Sequence, residues 1–181
     1  MDHFESIVCD LLEAEGYWVR RSFKVDLTKE EKRQVGRPSI PRPEIDILAY
    51  DRQHDQLLVL EAKSFLDSPG VNLDHLAEIH EEPKGRYKLF TCENFRNIIF
   101  DRLRIELINY GMITSRTRLK LGLAAGKIHR KETNQVREFM DANGWYFLSP
   151  EDIRERVMRF SEMGYENNPA IITAKILLRS G

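Results

Sequence analysis

This chain lacks most of the features that would place it outside the ordinary folded proteins. Its two cysteines, Cys9 and Cys92, stand alone and make no metal-ligand spacing. No apolar run approaches the ~20 residues of a membrane-spanning helix. The opening Met1-Asp2-His3-Phe4-Glu5 has neither the basic region nor the apolar core of a secretory leader. There is no internal repeat and no low-complexity tract. Taken together, these absences predict a cytoplasmic protein in a reduced compartment, with no membrane partner. A bulk basic excess is missing too: 28 Lys and Arg oppose 29 Asp and Glu, giving a net charge of −1. Nucleic-acid binders more often carry a clear positive surplus.

What is present describes a soluble domain. Hydrophobic residues make up 41% and charged residues 31%, and 181 residues suffice for one substantial core but hardly for two. We therefore expect a single domain over 1–181. The charge is unevenly placed. Residues 20–42 hold Arg20, Arg21, Lys24, Lys29, Lys32, Arg33, Arg37 and Arg42 against Asp26, Glu30 and Glu31. Residues 116–131 carry six lysines and arginines and no acid, while acids gather in 67–82 and 132–166. Such local basic stretches can meet phosphates despite a neutral total, although a solvated face explains any one of them as well.

Periodicity supplies the elements. Phe4, Ile7, Val8, Leu11 and Leu12 form one apolar stripe at helical spacing, and Gly16 ends it. Residues 17–27 alternate, with Tyr17, Val19, Phe23 and Val25 on one face, Arg20, Ser22, Lys24 and Asp26 on the other, and Arg21 as the exception. Residues 28–43, punctuated by Gly36, Pro38, Pro41 and Pro43, can hardly be regular throughout. Strands follow at 44–50 and 56–63, then a loop over 64–83 with a short acidic helix near 73–80. A short extension is expected at 87–91, a long helix at 93–110, and a strand at 119–125 whose Gly122, Ala124 and Ala125 admit a closely packed helix. Residues 130–143, 145–148, 150–163 and 169–178 read as helix, strand, helix and helix.

The residues that suggest chemistry lie on the central pair of strands. Pro43-Glu44-Ile45-Asp46 is followed, after the apolar run Leu57-Leu58-Val59-Leu60, by Glu61-Ala62-Lys63. Positions 61 and 63 share one strand face, and a hairpin brings Asp46 to them. An acid and an amine at the end of so apolar a strand are costly to bury unless they pair, bind a metal or react. Two solvent-facing charges on an outer strand are the plain alternative, but a run apolar on both faces belongs inside a sheet.

This pattern resembles the PD-(D/E)XK nuclease superfamily, the restriction-endonuclease-like fold that includes Holliday junction resolvases and Mrr-type enzymes. Asp46 matches the first aspartate, and Glu61-Ala62-Lys63 the (D/E)XK element. The acid directly after the proline is Glu44, which stays a rival ligand. The expected order of helix, three strands, helix and strand covers about residues 2–126, with a mostly helical C-terminal extension over 127–181. The resemblance implies an α/β fold with a mixed central sheet flanked by helices. It further implies Mg²⁺ or Mn²⁺ held by Asp46, Glu61 and the Ala62 carbonyl, with Glu5 on the first helix as a further ligand. Lys63 would orient the attacking water and stabilise the phosphoryl group in transfer.

The activity so implied is metal-dependent endonucleolytic cleavage of DNA. Arg20, Lys24, Arg37 and Arg42 are candidate phosphate contacts, and a homodimer suits two cuts on antiparallel strands. The rivals are a catalytically inactive nucleic-acid-binding or assembly protein on the same fold, an RNA-directed nuclease, and a protein-interaction module using the acidic C-terminal helices. His75 and His80, at i and i+5, fall on different helix faces and read as a surface helix rather than a zinc site.

Overall fold

In the computed structural model, which describes residues 3–164 and 166–178, the alternating segments pair in chain order. Strands β1 (Trp18–Lys24), β2 (Glu44–Asp51) and β3 (Gln56–Lys63) form an antiparallel meander. Strand β4 (Arg118–Ala125) lies parallel to β3, and β5 (Tyr146–Leu148) parallel to β4. The result is an α/β architecture: one mixed five-stranded sheet in the order β1-β2-β3-β4-β5, flanked by helices. The helices are α1 (His3–Ala14), α2 (Lys29–Gln34), α3 (Leu73–Leu76), α4 (Lys88–Thr91), α5 (Glu93–Asn109), α6 (Thr133–Ala142), α7 (Pro150–Phe160) and α8 (Pro169–Leu178). None of the described helices is long and apolar enough to cross a membrane.

The apolar run of β3 is explained by layers on both sides of it. Leu57 and Val59 point into a core with Phe95, Ile99, Leu103 and Leu107 of α5. Leu58 and Leu60 point the other way, into a core with Val8, Leu11 and Leu12 of α1 and with Ile153, Phe160 and Ile171 of α7 and α8. Each such leucine contributes about 1.5–3 kcal/mol by leaving water, so β3 is held from both faces and ends in a fixed place. Gly122 is small for a reason different from the expected helix contact. A Cβ there would lie 2.5 Å from Leu60 Cδ2 and 3.0 Å from Tyr146 Cβ, so the crowding comes from the neighbouring strands.

One departure from the alternation falls in β1 and β2 together. Tyr17 and Val19 pack on the α1 side, as do Ile47 and Ala49, whereas Phe23, Val25 and Ile45 lie in the α5 core. Both strands therefore change face between Arg21–Phe23 and Ile45–Ile47. The β1–β2 ladder pairs Arg21 with Ile47 and Phe23 with Ile45, skipping Ser22 and Asp46. Ser22 takes a left-handed backbone (φ 51°), which is uncommon for a residue with a side chain. Arg21 then belongs with α1, where its guanidinium donates to Ser6 Oγ at 3.2 Å and meets Asp10 at 3.5 Å.

Other boundaries shift for local reasons. Within 28–43, Thr28 and Glu31 form a capping box that starts α2. Residues 88–91 make one helical turn rather than an extension. The helix expected from 130 begins at Thr133, because Arg130 and Lys131 are left-handed (φ 50° and 60°).

Candidate active site

Asp46 is in phase with Leu48 and Tyr50 and so points, with Glu61 and Lys63, to the α5 side of the sheet. Lys63 Nζ lies 2.8 Å from Glu61 Oε2 and 3.5 Å from Asp46 Oδ2. The Ala62 amide donates to Asp46 Oδ2 at 2.8 Å, so the contact Ala62 makes here is through its N–H. The three charged side chains are largely enclosed, at 20% exposure for Asp46, 15% for Glu61 and 18% for Lys63. From behind, Gly126 N donates to the Lys63 carbonyl at 2.9 Å and fixes its main chain. Since β3 lies between β2 and β4, the reading of these charges as an outer-strand pair does not apply.

Burial pushes the Glu61 carboxyl above its ordinary range, and nearby Asp46 adds to this; Lys63 and Lys88 oppose it without prevailing. For Lys63, burial alone would lower the pKa, but the charges of Glu61 and Asp46 outweigh it and hold the amine above its ordinary value. Lys63 is thus an ammonium, suited to neutralise and orient rather than to take a proton.

Asp46, Glu61 and Lys63 open onto a cleft of about 450 Å³. One wall is the strap 40–45, which brings Arg42 and Glu44 to the cleft. Phe65, Gly85, Arg86 and Lys88 also line it. Arg86 and Lys88 are the residues that sequence reasoning missed. They lie more than twenty positions beyond Lys63, and the signal for them was the run Lys84-Gly85-Arg86-Tyr87-Lys88, where cations alternate.

The remaining expected residues lie elsewhere. Lys24 sits beside the cleft mouth, 3.8 Å from Glu44. Arg20 stacks over Phe23 and contacts Met112 Sδ at 3.3 Å, and Arg37 is exposed on the loop after α2; neither lines the cleft. Glu5 is in the first turn of α1, on the opposite face of the sheet from the cleft but at the same end of it. The end is fixed by its neighbour Phe4, whose ring would be 3.1 Å from a Cβ on Gly126. Glu5 is not among the residues lining the cleft.

Among the described residues, no group of three or more His, Cys, Asp and Glu side chains is placed to hold a metal ion. The pair Asp46 and Glu61 nevertheless fits one metal class. Mg²⁺ and Mn²⁺ prefer hard oxygen donors, and Mg²⁺ is commonly held by one or two carboxylates together with substrate phosphate and water. The donor set here is of that kind, already gathered around a cation in the form of the Lys63 ammonium. No family model matches the chain, and no curated protein or solved structure matches it either.

Proposed function

We propose that the chain is a divalent-metal-dependent endonuclease that hydrolyses phosphodiester bonds of DNA, built on a restriction-endonuclease-like core formed by α1, β1 to β3, α5 and β4. The observation that carries this reading is the convergence of Asp46, Glu61 and Lys63 within 3.5 Å at the floor of one cleft. Three further cations, Arg42, Arg86 and Lys88, surround it. Two carboxylates alone would repel a phosphodiester; with a metal and four basic side chains around them the cleft attracts one.

In this reading Asp46 and Glu61 hold Mg²⁺ or Mn²⁺, which supplies Lewis-acid charge neutralisation when bound. Lys63, fixed between them as an ammonium, orients the attacking water by hydrogen bonding and faces the charge that develops on the phosphoryl oxygens. Arg42, Arg86 and Lys88 hold the flanking phosphates in register. Glu44 at the mouth is the third acid lining the cleft, and Glu5 would enter only through the sheet end. The test is cleavage of a panel of labelled duplex, flap, junction and single-stranded DNA and matched RNA with Mg²⁺ or Mn²⁺. Metal-dependent cutting that vanishes in Lys63→Ala is the expected result. DNA or RNA bound but never cut by the wild type would favour a binding protein on the same scaffold. Equal cutting by both proteins would overturn the assignment.

A further inference from the structure

Beside the cleft that holds Asp46, Glu61 and Lys63 lies a second one of about 390 Å³, and Phe65, Gly85 and Arg86 line both. Its size falls in the range of ~300–1,000 Å³ usual for sites that enclose a small molecule. Phe65 stands two residues beyond Lys63, half-buried, with a left-handed backbone (φ 45°). That conformation is rare for a bulky side chain, and such outliers gather at ligand clamps. Here it turns the chain out of β3 and leaves the Phe65 ring in the partition between the clefts. The Arg86 guanidinium lies over that ring, 5.5 Å from its centroid, so the partition is a cation–π stack. Beyond it the second cleft is mostly apolar, with Asn72, His75, Glu78 and Lys84 placing polar groups on its walls.

An aromatic face, a planar guanidinium, polar edge partners and a lysine are the groups that take an unstacked nucleobase and its phosphate. We propose that the second cleft receives the nucleobase next to the scissile phosphate, stacked on Phe65, so that the substrate is a strand with an unpaired or extruded nucleotide at the cut. A base inside an intact duplex cannot reach such a cleft without leaving its stack. This inference rests on the nuclease reading of the neighbouring cleft, because it takes the phosphate to lie over Lys63 while the base lies beyond Phe65.

The test uses a short oligonucleotide carrying one 2-aminopurine, in deoxyribose and ribose versions, single-stranded and annealed, with Ca²⁺ in place of Mg²⁺. Wild type, Phe65→Leu, Phe65→Ala and Phe65→Trp are compared by quenching of the base fluorescence and by affinity. Loss of stacking on one base weakens binding by about 5- to 150-fold. We expect that loss in Phe65→Ala and also in Phe65→Leu, which keeps apolar bulk and so keeps the fold. Phe65→Trp should retain the quenching. Both effects should be confined to the single-stranded probe, and the sugar bound more tightly names the nucleic acid. Equal affinity of wild type and Phe65→Leu, absence of quenching, or no preference for the unpaired probe would each overturn the inference. The two readings fail separately. Phe65-dependent quenching in a protein that cuts nothing keeps the base site and removes the nuclease. Lys63-dependent cutting with no effect of Phe65→Leu does the reverse.

Discussion

The hairpin of β2 and β3 carries carboxylates at both of its ends, and the two ends surround them with different chemistry. At the turn, Asp51 accepts from the amides of Gln53 at 2.8 Å and His54 at 3.2 Å and meets the His54 ring. Asp55 accepts from Tyr50 OH at 3.0 Å and Thr117 Oγ1 at 2.6 Å. The contact with His54, helped by the two amides, holds Asp51 below its ordinary value. At the open end Glu61 is held above its ordinary value by burial, and one ammonium stands between it and Asp46. Acids saturated by fixed donors build a turn. Acids sharing the one ammonium of Lys63 would, on the proposed reading, keep an affinity for a metal ion, and that would separate a structural use of carboxylates from a chemical use within one hairpin.

The sharpest way to break this comparison is Lys63→Ala. If Lys63 faces the transferring phosphoryl as proposed, removing its charge should cost about 10²–10³-fold in the rate of metal-dependent cleavage, read on the preferred strand of the substrate panel. Next in size is the response to metal. Mn²⁺ at about a hundred times its dissociation constant should stabilise the fold by about 2.7 kcal/mol. That is a rise of roughly 5–10 °C in the melting temperature for a domain of this size. The rise should disappear in Asp46→Asn and persist in Asp55→Asn, and equal shifts in both would show that the two ends do not differ. The turn should fail in the complementary manner. Asp55→Ala leaves the hydroxyls of Tyr50 and Thr117 without their shared acceptor and should cost about 1–3 kcal/mol in denaturant unfolding, with cleavage unchanged.

The smallest effect is the one with pH. Because Asp51 is more acidic folded than unfolded, its contribution is present above the unfolded value and is lost as the pH falls through the folded one. Stability of the wild type should therefore decline more steeply below pH ~4 than that of Asp51→Asn, as followed by urea unfolding across the acid range. Parallel curves would remove Asp51 from the comparison.

The elements that carry the site were readable because their patterns are local. Gln56–Lys63 is bounded by a polar turn and ends on its own charged triplet, and the apolar spacing of α1 and α5 needs no tertiary information. The positions of Asp46, Glu61 and Lys63 on adjacent strands followed from those patterns. The inversion at Ser22 did not, since it exchanges the faces of two strands together while each still reads as alternating. Arg86 and Lys88 were hidden for another reason: nothing local says that the segment after Gly85 folds back over the cleft. The start of α2 was legible after all in Thr28-Lys29-Glu30-Glu31, where the cap and its reciprocal glutamate stand three apart. That helix buries no residue, so hydrophobic spacing had nothing to mark. It is tied down instead by Arg102 of α5, which meets Glu31 at 2.7 Å.

The kink at Ser22 has a consequence for how the molecule behaves in company. A sheet of this order exposes two outer strands, β1 and β5, and an outer strand that is long and regular is a template for intermolecular pairing and aggregation. Strand β5 has only three residues. Strand β1 is longer, but its ladder is interrupted at Ser22 and flanked there by Arg20, Arg21 and Lys24. The same left-handed residue thus breaks the regularity that edge-to-edge pairing with a second molecule would use.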